Sequence, residues 1–339
     1  MPYDNGLVNT ERLVGIDVAR GCALIGMFVA HAAPRVDEGE WIVDGRSALL
    51  FATLAGVSLG LMSGGARPTG ERGRMRRSVV LRAVFLIALG VILWLIPTNI
   101  AIILDYYGVM FLLLAPLLFL GRIPLAAVAL GLFVTAPLLA EVAEPLGQSS
   151  TTGLPLAIVI DRLLTGYYPA LLWLPVLIVG LIAARSDLST PLVQFVLVFG
   201  GIAAMVIGYG AAASVPGVSA EAHSSTHAEI LGSGGFAFAV IGVLLLATRP
   251  RSDGAPRMFT RLVRPIEAMG AMPLTVYTAQ IMVIAGFFVA ADKASGLEYE
   301  NWWLVAGLIT GSAAFAIAWR RVLGRGPLES AIRGFSMTQ

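Results

Sequence analysis

The chain has 339 residues, of which 57% are hydrophobic and 13% charged, and its mean hydropathy is +0.83. This composition excludes an ordinary soluble protein and predicts a polytopic membrane protein of the all-α class, with one domain over residues 1–339. The net charge of +2 is uninformative, but the arginines cluster at predicted membrane edges with no soluble fold to present them, so nothing suggests nucleic-acid binding. The single cysteine, Cys22, excludes an intrachain disulfide framework.

Hydrophobic runs separated by arginine, glycine, proline and acidic clusters predict about ten membrane-spanning helices. The first run is too long for the core of a signal peptide, so we expect it to be retained. Before the sixth run, the amphipathic stretch 154–164 is expected to dip into the membrane or to cap a cavity. The predicted spans are 12–33, 46–64, 79–97, 105–120, 124–140, 167–184, 191–213, 233–248, 266–290 and 302–319.

Arginine is concentrated in alternate connecting segments, whereas the segments between them are mostly acidic. Positively charged loops remain on the cytoplasmic side, so both termini are predicted to be cytoplasmic. We expect a multi-pass protein of the cell (plasma) membrane, in contact with the lipid bilayer. The arginine-rich segments are 65–78, 121–123, 185–190, 249–265 and 320–339.

The first predicted span carries three ionisable residues on one face. At 100° per residue, Arg20 lies about 60° and His31 about 40° to the same side of Asp17. Each such group costs about 2.5–3.5 kcal/mol within a membrane unless it is paired or faces a cavity, so the stripe predicts a lined pathway or site. Arg20 and His31 are about 16 Å apart along the helix, which one elongated ligand could reach across.

Structural roles are the alternatives for these residues. His31 has the imidazole that suits proton transfer near neutral pH, but it would also serve as a hydrogen-bonded histidine between helices. The planar donors of Arg20 suit phosphate or carboxylate, and equally an ion pair with Asp17 or Glu267. Both interpretations remain open at this point.

Further polar residues lie near the outer ends of other predicted spans. Asp44 opens the second span, where it is placed to support His31 or to cap the helix. Asp105 and Tyr107 begin the fourth span. A carboxylate beside aromatic hydroxyls suits a sugar or polyol, while a tyrosine belt at the membrane interface explains the tyrosine equally well.

Two histidines and one glutamate complete the candidates. His223 and His227 are four residues apart, as in zinc-binding helices, but the glutamate of the HExxH motif is absent because Ser224 follows His223. No metal is therefore expected, and an acceptor-binding loop or a solvated loop are the remaining interpretations. Glu267 begins a polar face with Gln280 in the ninth span, for which helix packing through hydrogen bonds is the alternative.

At these residues the sequence resembles the transmembrane acyltransferase superfamily, especially the YeiB-like bacterial membrane proteins, which are relatives of heparan-alpha-glucosaminide N-acetyltransferase. The likeness touches both ends and the middle of the chain. The resembling phrases are RLVGIDVARGCALIGMFVAH at 12–31, DGRSALLFATLAGVSLGLMSGG at 44–65, ILDYYGVMFLLLAPLL at 103–118, HSSTHAEILGSGGFA at 223–237, GAMPLTVYTAQ at 270–280 and RGPLESAIR at 325–333.

The resemblance implies transfer of an acyl group, expected to be acetyl, from cytoplasmic acyl-coenzyme A to a glycan or glycolipid acceptor on the other side of the membrane. Members of the superfamily carry an arginine and a histidine with ten residues between them on the first span, as Arg20 and His31 do here. In the heparan-type relatives the active histidine instead follows the first span, where this chain has none. The implied roles are His31 as general base with Asp44 supporting it, Arg20 and Asp17 at the donor, and Asp105, Tyr107, His223, His227 and Glu267 at the acceptor.

A proton-coupled transporter is the rival hypothesis, because the same polar residues would also line a path for a small solute or lipid. The sequence shows no pair of repeat-related spans interrupted by glycine or proline, which speaks weakly against a transporter. The identity of the acceptor, the length of the acyl chain and the oligomeric state, including a homodimer, are left open by the sequence.

Overall fold

The structure is a computed structural model that describes residues 13–35, 41–66, 71–148, 153–250, 258–293 and 300–337. It is 79% helical, and no strand occurs within those ranges, which confirms the all-α class. Residue 12 of the first predicted span lies outside the described residues, as do parts of the arginine-rich segments 65–78, 249–265 and 320–339.

Fourteen helices follow one another in the described residues. A 3₁₀ turn, Ala115–Leu117, extends the fourth, and a π-helical turn, Asp161–Thr165, extends the sixth. The helices are α1 Val14–Ala32, α2 Arg46–Met62, α3 Arg72–Trp94, α4 Leu104–Leu114, α5 Arg122–Gln148, α6 Leu154–Ile160, α7 Ala170–Ala184, α8 Pro191–Ser214, α9 His227–Thr248, α10 Met258–Leu262, α11 Arg264–Gly270, α12 Pro273–Lys293, α13 Trp302–Val322 and α14 Pro327–Met337.

Seven of these helices, α1, α3, α5, α8, α9, α12 and α13, are long and apolar enough to cross a membrane. The pair formed by α6 with its π turn and α7 is bent by 45° and brings the number to eight if the pair is one span. The apolar helices α2 and α4 are shorter and coincide with two more of the predicted runs. The chain is thus a multi-pass membrane protein, and the count of ten spans and the cytoplasmic termini remain predictions.

Helix α1 lies in the interior of the bundle. In the most apolar part of α1, 61% of the residues are buried, and the corresponding share in α9 is 50%. In α3, α5, α8 and α13 it is only 17–28%. The face with Asp17, Arg20 and His31 is therefore surrounded by other helices. We call the two ends of the bundle the Arg20 end and the His31 end, after the residues of α1 that lie toward each.

Close backbone contact joins α1 to α11. A Cβ atom on Gly270 would lie 1.7 Å from the Asp17 carbonyl oxygen, and one on Gly21 would lie 2.2 Å from the carbonyl oxygen of Ile266. Small residues allow helix backbones to approach in this way within a membrane. The main chain itself therefore fixes the position of α1 against α11.

We expect Gly270→Ala to destabilise the protein by about 1–3 kcal/mol, because the added methyl group has no space between the two backbones. The thermal unfolding midpoint of the detergent-solubilised protein measures the effect. Gly286→Ala is the matched control, because a Cβ atom at that position of α12 meets no atom within 4 Å. Equal midpoints for the two variants would contradict the close contact.

The start of α12 is held by the C-terminal helix. Glu329 of α14 accepts hydrogen bonds from the main-chain N–H groups of Leu274 and Thr275 at 2.7 and 3.1 Å, and from the Thr275 hydroxyl at 2.6 Å. A carboxylate at a helix N-terminus satisfies N–H groups that have no partner within the helix and interacts favourably with the helix dipole. Glu329 thereby fixes where α12 begins.

A buried arginine after α7 joins the ends of two other elements. Arg185, which follows α7 and is 6% exposed, donates to the main-chain oxygens of Gly60 and Gly65, to that of Leu118, and to the Ser63 hydroxyl. These acceptors lie at the C-terminal ends of α2 and of the α4 extension, where a cation also complements the helix dipoles. The segment 185–190, which the sequence offers as evidence of orientation, thus also has a structural arginine.

Candidate functional site

The polar face of α1 contains an ion pair at the Arg20 end. Arg20 Nη1 lies 2.6 Å from Asp17 Oδ1, and Arg20 Nη2 donates to the Ser58 hydroxyl at 2.7 Å. The structural ion pair that the sequence left open for Arg20 is therefore present, with Asp17 as the partner. Glu267 is on α11, the helix that packs beside Asp17, and its carboxylate lies 3.3 Å from the guanidinium of Arg320 on α13. This arrangement places Glu267 toward the Arg20 end, apart from the acceptor residues with which it was grouped.

His31 lies in the last turn of α1 and contacts α12. Its Nδ1 atom is 2.5 Å from Nε2 of Gln280, a side chain that is 1% exposed. Because α1 is one continuous helix from Val14 to Ala32, His31 stays about 16 Å along the axis from Arg20. The imidazole is thus fixed at one nitrogen, which leaves the other for a ligand.

A small cavity of about 30 Å³ lies beside His31. Its wall includes the imidazoles of His31 and His223 and the polar side chains of Ser47, Tyr168 and Tyr277. This volume accommodates one or two water molecules. It is too small for a pantetheine arm or a sugar, and Arg20 is not among its lining residues.

His223 reaches this cavity from the loop before α9. Its ring centroid lies 4.1 Å from that of Tyr167 and 5.1 Å from that of Tyr168, and the ring is parallel to that of Trp173 at 6.2 Å. Burial lowers the pKa of His223 to about 4, while the Asp44 carboxylate acts in the opposite direction. His223 is therefore neutral at pH 7, and its buried Nδ1 atom has no hydrogen-bond partner in the described part of the chain.

Glu229 holds the loop that presents His223, and the sequence analysis did not single it out. Glu229 is 0% exposed and accepts hydrogen bonds at 2.7 Å from the main-chain N–H groups of His223 and Ser225. Both of those residues have positive φ angles, 62° and 56°. The Thr226 hydroxyl accepts from the Glu229 N–H and so caps α9. Thr-x-x-Glu at 226–229 is the sequence pattern of a capping box, and this pattern was the signal in the sequence.

Asp44 lies near His223 rather than in the expected role beside His31. It accepts hydrogen bonds from Arg35 and from the Trp41 main-chain N–H, the latter at 2.8 Å, while Gln280 occupies the position at His31 Nδ1. Asp44 also does not cap α2, since the N-cap residue is Gly45 and no side chain caps that helix. The guanidinium of Arg35 is a stronger hydrogen-bond partner for the Asp44 carboxylate than a neutral donor is, because it supplies a full positive charge.

The start of α4 meets the π turn after α6. Asp105 Oδ2 lies 2.7 Å from Arg162 Nε, and Arg162 also contacts Asp161 and the Tyr106 hydroxyl. The Tyr107 hydroxyl donates to the Ala48 carbonyl oxygen at 3.1 Å, and Tyr107 is 3% exposed. Tyr107 is therefore an internal residue, and an interfacial tyrosine belt does not explain it.

His227 is separate from this cluster. It is the first residue of α9, is exposed, and its ring packs edge-on against Phe133 at 5.0 Å. His223, four residues earlier, lies in the loop with a positive φ angle. The two imidazoles therefore do not share a helix face, and His227 does not line the His31 cavity.

The His31 end thus brings together His31, Asp44, Asp105, Tyr107 and His223 from four different segments. Several buried polar atoms at this end have no hydrogen-bond partner within the described ranges. These atoms are Trp41 Nε1, Asp44 Oδ1, Asp105 Oδ1, His223 Nδ1 and Gln280 Oε1. Buried polar groups are usually satisfied, so this concentration indicates a place where a polar ligand or water binds.

Apolar helices around an interior polar cluster define a multi-pass α-helical membrane protein with a polar site at one end. Residues 180–339 match the family model described as "Protein of unknown function (DUF418)", a family of membrane proteins. This match begins within α7 and covers slightly less than half of the chain. It includes His223 and Gln280 but not His31 or Arg20. No curated protein matches the chain.

Proposed function

We propose that this protein is a membrane acyltransferase that uses cytoplasmic acyl-coenzyme A, with acetyl as the expected acyl group, to modify a sugar or glycolipid on the other side. The observation that carries the proposal is the setting of His31. It is fixed at Nδ1, it faces a cavity shared with His223, and it lies on the same buried helix as Arg20.

His31 acts as the general base in this proposal. Its Nε2 atom takes the proton of an acceptor hydroxyl or amine, whose oxygen or nitrogen then attacks the thioester carbonyl carbon. The bond between that carbon and sulfur breaks, and the imidazolium returns the proton to the coenzyme A thiolate. Such proton transfer contributes about 10²–10⁴-fold to a rate.

Acidic and aromatic groups at the His31 end suit a polyhydroxyl acceptor. Asp44 Oδ1 and Asp105 Oδ1 are buried acceptors of the kind that sugar hydroxyls satisfy, and the rings of Tyr167 and Tyr168 supply apolar faces. The neutral His223 adds a nitrogen without a charge. His227 and Glu267 have no place in this pocket, because they lie outside the cluster.

The donor requires the bundle to open. The cavity beside His31 has room only for molecules the size of water, and Arg20 is engaged by Asp17 and Ser58 at the other end of α1. A pantetheine arm must therefore separate α1 from a neighbouring helix to extend from Arg20 to His31. Substrate-driven opening and closing of this kind is common in enzymes that sequester a reaction from water.

Binding of acetyl-coenzyme A to the purified protein tests the donor assignment. We expect Arg20→Ala to weaken binding by about ten-fold or more, since a charge-assisted contact to phosphate or thioester contributes about 1.5–3 kcal/mol. Arg321→Ala, at an exposed position near the end of α13, is the control and should bind as the wild type does. If neither the wild type nor the control binds the donor, the assignment to an acyltransferase is wrong.

A transporter is the second candidate, and one feature of the structure favours it. The π turn just before the 45° break between α6 and α7 carries charged residues, with Arg162 paired to both Asp105 and Asp161. Interrupted helices with charged groups line the binding sites of many transporters. Uptake of a solute into proteoliposomes, driven by a proton gradient and without an acyl donor, would favour this function over acyl transfer.

A further inference from the structure

The contact between His31 and Gln280 bears on which nitrogen of His31 carries a proton. A neutral imidazole has one N–H group and one lone pair, and the partner of Nδ1 decides where each lies. A general base at the cavity needs its lone pair on Nε2, so Nδ1 must carry the hydrogen and needs an acceptor.

The side-chain amide of Gln280 can supply either kind of partner. With Nε2 of Gln280 against Nδ1, the amide donates, and the hydrogen of His31 lies on Nε2 toward the cavity. Rotation of the amide about its last bond brings Oε1 to the same place, where it accepts from Nδ1–H. Gln280 Oε1 is buried and has no hydrogen-bond partner in the described ranges, so no contact of that oxygen opposes the rotation.

We propose that Gln280 is the positioning residue for His31: its amide oxygen accepts from Nδ1–H and so leaves the Nε2 lone pair directed at the cavity. This inference rests on the proposed function. The resemblance and the charge pattern direct attention to Asp44 for this task, but Asp44 is bound by Arg35 and the Trp41 main chain.

The same amide orientation serves both protonation states. When Nε2 takes the proton of the acceptor, the imidazolium still donates from Nδ1 to Oε1, so no rotation is needed during transfer. A fixed partner that holds the tautomer and stabilises the imidazolium is the role that a carboxylate has in a catalytic triad. An amide does this without placing a charge in the membrane interior.

Gln280 is well placed to hold a fixed orientation. It is 1% exposed on α12, and Glu329 binds the start of α12 at Leu274 and Thr275, six and five residues before Gln280. Tyr277 of the same helix lines the cavity and is within 3.4 Å of the Ile103 main-chain N–H. The helix that carries Gln280 is therefore anchored at two points within the two turns before this residue.

Three substitutions of purified protein in proteoliposomes test this role through acyl transfer from acetyl-coenzyme A. Gln280→Leu removes both the amide oxygen and the amide nitrogen that can bond to His31 Nδ1. It should lower kcat by at least about ten-fold with little change in KM, since holding the wrong histidine tautomer lowers kcat by up to about 10⁴-fold. Gln280→Glu keeps an acceptor and should retain most activity. Gln194→Leu is the control, because Gln194 is also a buried amide, 2% exposed, but bonds to Leu188 away from the site.

The pH–rate profile separates positioning from a purely structural role. The charged and titratable groups around His31 are His223, Arg35 with its partner Asp44, and the phenols of Tyr168 and Tyr277. All are common to the wild type and Gln280→Glu. The added carboxylate stabilises the imidazolium, so the acidic limb of the profile should move to higher pH only in that variant.

Nitrogen NMR of protein labelled with ¹⁵N only in histidine provides a readout without activity. The chain has 3 histidines, and His223→Gln and His227→Gln variants assign the signals. We expect His31 to be protonated at Nδ1 in the wild type and in Gln280→Glu, and to show both tautomers in Gln280→Leu. A wild-type His31 protonated at Nε2 would overturn this inference alone. So would an unchanged kcat in Gln280→Leu, provided that the wild type is active and its activity depends on His31. An inactive wild type would overturn the proposed function instead.

Discussion

Replacing His31 by alanine is expected to reduce acyl transfer by about 10²–10⁴-fold, because the proposed general base is then absent. His31→Gln should be similarly inactive while it keeps a polar group beside Gln280. Transfer of labelled acetyl from acetyl-coenzyme A, measured with the protein in proteoliposomes, gives the rate. Donor binding should change little, since His31 lies about 16 Å along α1 from Arg20.

The control for this experiment is another histidine that the cluster excludes. His227→Ala should transfer acyl groups at the wild-type rate, because His227 is exposed and packs against Phe133. Thermal midpoints of all variants show whether the fold is kept. Wild-type rates in both His31 variants, with the fold intact, would refute the assignment of the base.

Replacing Arg185 by methionine is expected to cost about 3 kcal/mol or more of stability, the largest effect we expect from one residue outside the site. Four acceptors at the ends of two elements receive its hydrogen bonds, and each buried group left without a donor costs about 1–3 kcal/mol. Unfolding of the purified protein in detergent, by heat or by denaturant, measures the loss.

Arg122→Met is the matched control, since Arg122 is exposed at the start of α5 and lies in a neighbouring arginine-rich segment. Its stability should stay within about 0.5 kcal/mol of the wild type. A comparable loss in both variants would mean that positive charge at this side of the bundle, rather than the contacts of Arg185, determines stability.

Much of the fold follows from the sequence because each membrane span is a long run of apolar residues that can be recognised directly. Each predicted run coincides with a helix or with a helix pair. One predicted run is interrupted in the structure. The predicted span 266–290 is divided between α11 and α12 just before Pro273, because proline has no main-chain N–H to donate to the preceding turn. The break before α7 likewise ends at a proline, Pro169, which has no main-chain N–H to donate.

The site was less accessible to prediction. His31, Asp105 and His223 were expected at one end because each is a polar residue near the edge of a span. The partners of His31 and Asp105 could not be assigned, because Gln280 and Arg162 lie 249 and 57 positions away in the sequence. Helical periodicity relates only residues that are a few positions apart. Only the packing of α12 and of the π turn reveals that Gln280, and not Asp44, contacts His31.

The hydrogen bonds from α12 to Glu329 also impose an order on biosynthesis. A membrane protein emerges from the ribosome from its N-terminus, and early segments fold first. The first N–H groups of α12 receive their carboxylate acceptor only after Glu329, 54 residues beyond Thr275, has been translated. The helix that bears Tyr277 and Gln280 is therefore completed only after α13 has been made, and a nascent chain that stops before α14 leaves the first turn of α12 without this acceptor.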